Sequence, residues 1–394
     1  MTIQNHCRLL TLPTELLVVI FSLLDSTSLI ALSTTCISLY SFLTDRDEIW
    51  RSQVEHLLRP SIPHMLPITC EPYRSYRELC LKLLPFSWVV PGIWHGCRDH
   101  QGSIYFSRYS SKTGHIEVHE LFCMFNPPND ALASAWSQNP AVVIQKFSPK
   151  LDRSRDPVLK FSPATRYNAN DEIPMSRDIR GKLTIFRQAE VIEFQGDDSE
   201  STLALWPPLC IPAIERTEMA QFKRGNSKNV IQLRQIWQWS MMSTLETYET
   251  VSRLLPDLYT PDFERPLRGL WVGDYELHGG EFILFHQPAE NSNRLEAIKL
   301  TGDPNVPRGE SSFIVDDLSH CERISTETEW FGAPVVKAKG QIAQVNFINH
   351  QFTPAELIII SKDRVALYWI DLNQINIYVR VQVDELLAGE KGIR

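Results

Sequence analysis

The sequence predicts an α+β protein: a short helical module at the N-terminus, a helical connector, then one large antiparallel β-barrel of lipocalin-like type with an inserted helix. Three observations carry this prediction. Apolar residues recur at helical spacing from Leu16 to Leu58, which marks amphipathic helices. From Phe86 onward the period drops to two, and β-branched and aromatic residues take over. From Gly269 to Val383 no segment between strands is long enough for a crossover helix, so those strands must be antiparallel. A row of neighbouring antiparallel strands best removes its edges by closing into a barrel.

The helical module reads as three short helices. Pro13 suits a first helical turn, where its missing N–H is not needed. Glu15 adds negative charge where the helix dipole favours it. Leu16, Leu17, Ile20, Phe21 and Leu24 form one apolar stripe, and Asp25 or Ser26 breaks the helix and can cap the next. Ser28 to Cys36 gives a second helix and Asp47 to Arg51 a third. Three helices of this length cannot bury all those leucines among themselves, so part of the stripe is left for a partner.

This pattern resembles an F-box over about the first 50 residues. The family's marks are a Leu-Pro opening, an early Glu-Leu, an Ile-Phe pair, a Leu-rich second helix ending in Cys, and a late Trp. Leu12, Pro13, Glu15, Leu16, Ile20, Phe21, Leu29, Leu32, Cys36 and Trp50 stand at those positions. The resemblance implies that these residues dock a Skp-type adaptor, and through it cullin and RING subunits. The expected boundaries are 8–51 for the F-box, 52–85 for the connector and 86–386 for the barrel.

Composition agrees with an ordinary soluble globular chain. It has 394 residues, 43% of them hydrophobic and 22% charged. The net charge of −8 argues against a nucleic-acid partner. No apolar run reaches the length of a membrane span, and the start does not read as a signal peptide. The eight cysteines form no CxxC pair, which fits reduced thiols in cytosol or nucleus.

The chain beyond the module follows in order. Tyr73 to Leu84 reads as a helix that ends the connector. Strands are expected at Ser103–Ser110, His115–Phe125, Ala141–Ser148, Leu183–Gln188, Glu190–Gln195 and Thr202–Trp206. Residues 127–180 are rich in Pro, Asn, Asp and Ser and read as a loop-rich insertion. Residues 230–255 read as an inserted helix on the spacing of Ile231, Ile236, Trp239, Met242, Leu245 and Tyr248. Further strands follow at Glu281–Gln287, Arg294–Leu300, Ser311–Leu318, Val335–Phe347, Glu356–Ser361, Val365–Leu372 and Ile375–Val383. An internal echo, Gly92-Ile93-Trp94-His95-Gly96 and Gly269-Leu270-Trp271-Val272-Gly273, reads as two strands entering one large sheet.

The motif Gly269–Glu281, followed by Ala297-Ile298-Lys299-Leu300-Thr301-Gly302-Asp303-Pro304-Asn305-Val306-Pro307-Arg308-Gly309, by Lys362–Asp371 and by Tyr378-Val379-Arg380-Val381, resembles the cyclin-D-binding substrate domain of the F-box only protein thirty-one family. The likeness covers roughly Pro266–Val383, with a fainter match at Phe86–Tyr109. It implies a ubiquitin-ligase receptor whose barrel captures a substrate's C-terminal tail, cyclin-like or amidated. Implied tail-binding residues are Trp271, Tyr275, His278, Gly279, Glu281, Thr301, Gly302, Asp303, Asn305, Pro307, Arg364 and Trp369. Asp303 would accept from a terminal amide and repel a terminal carboxylate. It would equally serve by bonding its own loop backbone. Trp271 and Trp94 fit a core at least as well as a ligand platform.

Two other functions share some of these features. A lipocalin-like small-molecule barrel would use the same Gly-x-Trp start and the late Arg380. A metal-dependent enzyme would use His115, Glu117 and His119, which alternate onto one strand face. The chain carries no Gly-rich phosphate loop, G-x-S-x-G elbow or H-E-x-x-H helix. The expectation is a non-catalytic receptor with no cofactor.

Overall fold

A computed structural model describes residues 8–58, 68–87, 89–96, 102–124, 133–145, 148–164, 173–174, 183–188, 230–236, 247–275 and 279–388. The chain forms two compact units: residues 1–91 with 107–117 and 160–167, and residues 92–106 with 118–159 and 168–394.

The first unit is built on five helices. They are α1 (Thr14–Ser22), α2 (Ser26–Ser33), α3 (Ile37–Thr44), α4 (Asp47–Leu58) and α5 (Tyr76–Leu83). The module therefore holds four helices rather than three. Asp47–Arg51 opens a helix that continues to Leu58, across the boundary expected at residue 51. Pro13 sits at the N-cap of α1, one position before the first helical turn. Asp25 caps α2, its carboxylate accepting the Ser28 N–H at 2.9 Å. The Asp47 carboxylate accepts the Tyr76 and Arg77 N–H groups, each at 3.2 Å, and so binds α4 to the start of α5.

The core of this unit is Leu17, Phe21, Leu29, Leu43, Ile49, Trp50, Val54 and Leu79, each at most 2% exposed. Trp50 Nε1 donates to the Leu43 carbonyl at 2.7 Å, which satisfies its one polar atom inside the core. Buried Ser26 and Gln53 bond at 3.0 Å, and Gln53 Nε2 donates to the Leu24 carbonyl at 2.8 Å.

The second unit carries most of the strands. In chain order they are β1 (Gly92–Gly96), β2 (Ser103–Ser110), β3 (His115–Met124), β4 (Ala133–Trp136), β5 (Asn139–Gln145), β6 (Lys150–Arg153), β7 (Leu159–Phe161), β8 (Ile173–Pro174), β9 (Leu183–Gln188), β10 (Val230–Ile236) and β11 (Thr247–Leu254). Parts of β2, β3 and β7 belong to the first unit. A helical turn α6 (Pro256–Tyr259) follows β11. Then come β12 (Gly269–Asp274), β13 (Gly280–His286), β14 (Leu295–Lys299), β15 (Ser311–Val315), β16 (Cys321–Ile324), β17 (Pro334–Gln344), β18 (Ile348–Ser361), β19 (Arg364–Trp369), β20 (Gln374–Arg380) and helix α7 (Val383–Ala388).

These strands form two nine-stranded sheets, not one. The first has the order β6-β3-β2-β1-β11-β10-β9-β8, with β7 on β3; β4 and β5 pair separately. The second has the order β15-β14-β13-β12-β20-β19-β18-β17-β16. It closes because β15 also pairs β17, through Phe313↔Gly340 and Ile314↔Lys339. The result is an eight-stranded antiparallel barrel with β16 as an appended strand.

The echoed Gly-x-Trp strands begin one sheet each. In both, the tryptophan strand lies between the next strand and the last strand of its sheet: β1 beside β11, β12 beside β20. Each tryptophan stands opposite an arginine, Trp94↔Arg253 and Trp271↔Arg380. The echoed Gly-x-Trp motif is thus a repeated sheet opening.

Two expected features change. The helix at 230–255 is replaced by strands β10 and β11, which pair with each other from Val230↔Ser252 to Gln235↔Thr247. Val230–Ile236 and Thr247–Leu254 are rich in β-branched residues, and pairing to β1 outweighs an apolar spacing that fits a helix. The region 127–180, expected as loop, contains β4 to β8. The strands expected at 190–195 and 202–206 lie outside the described residues.

Strand alternation divides the second unit's core into two clusters. Trp271, Ile283, Phe285, Ala297, Phe313, Val336, Leu357, Val365, Leu367 and Tyr378 fill the barrel. Leu270, Val272, Phe282, Leu284, Ile358, Ala366 and Ile377 form the outer layer, packed with Ile93, Ile104, Phe106 and Trp136. Both faces of the barrel strands are therefore buried, which explains their nearly continuous apolar sequence. Among the described residues, no helix is long and apolar enough to cross a membrane.

Candidate functional site

Each unit carries one candidate site. In the helical unit it is an apolar surface. Leu16 is 51% exposed, Val19 57%, Leu23 82% and Ile37 82%, while Leu17 and Phe21 on the same helix are buried. Helix α1 is apolar on both faces, and its own core uses only one of them. Of the residues expected to meet an adaptor, Leu12, Pro13, Glu15, Leu16 and Ile20 are exposed; Leu32 and Cys36 are half-buried. Phe21, Leu29 and Trp50 lie inside, where they hold the helices together. Val19, Leu23, Ile37 and Tyr40 also belong to the exposed apolar surface. Val19 and Leu23 continue the i, i+3, i+4 series from Leu12 and Leu16, a signal present in the sequence.

The barrel has an aromatic floor. Trp271 stacks on Phe285 at 4.5 Å, Phe285 meets Phe313 edge-on at 5.4 Å, and Phe313 meets Tyr378 at 5.3 Å. The Arg380 guanidinium lies 4.5 Å from the Trp271 ring and donates to the Pro266 and Lys362 carbonyls at 2.6 and 2.7 Å. It also binds the Arg268 carbonyl. This end of the barrel is closed, and Trp271 is fully buried in it.

A polar group occupies the interior further along the strands. Lys299 Nζ lies 2.8 Å from Glu281 and 2.5 Å from Asp303, and 4.2 Å from the centre of the Tyr275 ring. Tyr378 donates its hydroxyl to that of Tyr275 at 3.0 Å, and Tyr275 bonds Ser312 at 2.5 Å. Glu281 and Lys299 share the inward parity of Ile283, Phe285 and Ala297, so the barrel holds two carboxylates around one ammonium. Burial pushes the Glu281 acid up to about 8; Lys299 draws it back only in part, and the nearby Asp303 charge adds to the rise. Burial also raises Asp303, but Lys299 and the Val306 and Asn305 N–H groups outweigh it and hold it below the usual carboxylate range. Asp303 is thus the ionised partner of Lys299, and Glu281 retains its proton at neutral pH.

Both Asp303 oxygens are occupied. Oδ1 accepts the Asn305 and Val306 N–H groups at 2.6 and 2.8 Å, and Oδ2 accepts Lys299. The Asx loop and the buried ion pair are one structure. Thr301 Oγ1 accepts the Phe282 N–H at 2.8 Å, and Asn305 Nδ2 donates to the Ala343 carbonyl at 2.9 Å, which ties the loop to the β17–β18 hairpin. Gly302 and Pro307 are buried within the same loop. Gly279, at φ 89°, accepts the Tyr275 N–H through its carbonyl at 2.9 Å. Trp369 points inward, bonded to Asn376 and packed on Gly340.

The structure therefore brings Tyr275, Glu281, Thr301, Gly302, Asp303, Asn305 and Pro307 together. Arg364 stands apart: it opens β19 opposite Val379, near the Arg380 floor, with parity opposite to inward Val365. His278 lies outside the described residues. Lys299 and Tyr378, which lie within the family-like runs, and Ser312 and Asn376, which do not, also belong to the group. A lysine at an inward strand position between apolar residues was the available signal for the first.

No group of three or more His, Cys, Asp or Glu residues that could hold a metal occurs among the described residues. Glu117 is engaged by Thr113 at 3.0 Å and by Arg108 at 3.7 Å. The His119 ring stacks on Phe106, and its Nδ1 lies 3.0 Å from the Ser154 carbonyl.

Two family models match parts of the chain. Residues 9–56 match the F-box-like family, and residues 251–385 match the family described as Cyclin D1 binding domain. Protein EXECUTER 2, chloroplastic, of Oryza sativa subsp. japonica is 30% identical over 108 residues, which is 24% of this chain and 17% of that protein. The chain thus spans under a fifth of that relative's length. A solved structure from Nostoc punctiforme, a DUF3598-family protein of unknown function, is 13% identical over 74% of this chain and 96% of its own, with a TM-score of 0.13, which carries no argument. F-box proteins are generally non-catalytic substrate adaptors, and the two matched domains fit a substrate-recognition subunit of a ubiquitin ligase. Residues 9–56 thus carry an F-box-like domain, and residues 251–385 a domain that matches the Cyclin D1 binding family.

Proposed function

We propose that this chain is the substrate receptor of a cullin-RING ubiquitin ligase. Its F-box docks a Skp-type adaptor, which connects it to cullin and RING subunits. Its barrel captures the C-terminal tail of a protein substrate, of cyclin type or amide-ended. It performs no bond chemistry; it raises the local concentration of substrate lysines beside a charged ubiquitin carrier. Residues 8–51 serve as the adaptor module, 52–85 as connector and 86–386 as the substrate domain.

The observation that carries this reading is the exposed series Leu16, Val19, Leu23 and Ile37 on helices whose own core is already complete. A surface of that kind marks a protein interface. Convergent polar groups within the barrel favour a peptide end over a purely apolar ligand. Glu281 with its proton is a hydrogen-bond donor as well as an acceptor, and Asp303 holds Lys299 and the loop in place around it. Described cysteines are free, which suits cytoplasm or nucleus.

Co-purification with a Skp-type adaptor tests this. Wild-type protein should retain the adaptor, and Leu16→Asp with Leu23→Asp should release it while leaving the helical melt unchanged. A wild-type chain that retains none would overturn the receptor assignment.

A further inference from the structure

The loop Thr301–Gly309 contains a residue that the tail-capture reading does not use. Arg308 is fully buried, at 0% exposure. Buried arginines are rare and expensive to desolvate, so their placement is a constraint on everything around them. Here the surroundings are shaped to admit it. Its backbone nitrogen would lie 2.2 Å from a Cβ at Gly302, so only glycine fits at the neck of the loop. Its side chain runs the other way, to the first sheet. There a Cβ at Gly102, which has φ +72°, would lie 2.8 Å from Arg308 Cδ and 2.5 Å from the Leu300 carbonyl. Gly102 stands just before β2. His95 of β1 is 2% exposed, and burial first, then the Arg308 charge, lower its pKa and favour the neutral imidazole.

The consequence is mechanical. Asp303 fixes the loop internally, and Asn305 ties it to the β17–β18 hairpin of its own barrel. Arg308 alone among these carries the loop's position to the first sheet. Asp303 and Arg308 are five positions apart in one short loop whose backbone folds against itself at Gly302, so a shift of the arginine must move the acid that holds Lys299 and Glu281.

We infer that Arg308, seated against Gly102, is the positioning residue of the tail-capture site, and that the first sheet thereby sets which tails the barrel accepts. This rests on the receptor reading above. Arg308 touches no tail in this account; it acts through Asp303.

The test measures binding of short fluorescent peptides with the cyclin D1 C-terminal sequence, in acid-ended and amide-ended forms, to the full chain by anisotropy. Arg308→Met should weaken binding on the order of ten- to a hundredfold, the scale expected when a binding group is displaced by about an ångström. It should also change the ratio of the two affinities. Arg308→Lys should recover part of both. Gly102→Ala, which changes no residue of the loop, should alter the same ratio from the first sheet, and it decides the matter if Arg308→Met does not fold. A purely structural role would lower both affinities equally, in step with the folded fraction. That result, or wild-type affinities in both variants, overturns the proposal while leaving the receptor reading standing. Failure of the wild-type chain to bind either peptide overturns both.

Discussion

Trp271 stands directly opposite Arg380 across β12 and β20, with the guanidinium 4.5 Å from the indole ring. The same arrangement of strands places Trp94 opposite Arg253 across β1 and β11. One solution for opening an antiparallel sheet is used twice in this chain. In the barrel it also closes the floor, because Arg380 gathers the carbonyls of Pro266, Arg268 and Lys362.

Arg380→Met should therefore do more than remove a charge. Three carbonyls at a closed barrel end lose their donor, at a net cost of roughly 2–4 kcal/mol. The barrel should unfold at lower urea, read by tryptophan fluorescence, with the cation–π contact to Trp271 lost as well.

Trp50 offers a separate measure of the helical unit. It is 1% exposed and its indole N–H is satisfied by Leu43. Trp50→Ala should destabilise that unit by about 3–5 kcal/mol, the usual range for emptying an aromatic site. Far-ultraviolet circular dichroism should lose a helical transition while the strand signal persists.

The Glu281 acid gives the barrel a pH signature. Its pKa is raised, from 4.5 to about 8, so the folded state holds a proton that the unfolded chain releases above pH 4.5. Glu281 thus favours the folded state fully below pH 4.5, and that contribution declines as pH rises, until it is gone near pH 8. The slope approaches about 1.4 kcal/mol per pH unit between those values. Urea midpoints measured across that window should fall as pH rises, and Glu281→Gln should flatten the curve. Asp303 acts in the opposite sense, its lowered pKa contributing stability above about 3.8 that is lost as pH falls below. An unchanged slope in Glu281→Gln would refute the assignment of the proton to Glu281.

Much of this molecule was legible because its signals are local. Asp25 caps a helix, and the period-two runs of β12 to β15 and β17 to β20 name their own strands, whereas the short β16 gives no such run. Leu12, Pro13 and Leu16, all exposed, mark the surface proposed for the adaptor for the same reason. What escaped depends on pairing at a distance. Strands β10 and β11 look helical alone and become strands because β1 offers an edge to β11. Helix α4 passes the expected domain boundary because nothing at residue 51 stops it. Two sheets rather than one follow from the seam Phe313↔Gly340, which no local pattern encodes. The burial of Lys299 and Arg308 was hidden, though both lie in the family-like run, because a lysine or arginine reads as surface until the fold buries it.

The receptor reading makes one demand that no other reading makes: the helices and the barrel must act on the same substrate. Reconstituted ubiquitin transfer to a reporter protein carrying the cyclin D1 C-terminal tail measures this directly. Wild-type chain, assembled with adaptor, cullin and RING subunits, should support transfer. Transfer should be lost with Leu16→Asp and Leu23→Asp, and lost again when the reporter's tail is removed. Transfer that persists in either case, or its absence in the wild type, would contradict the account.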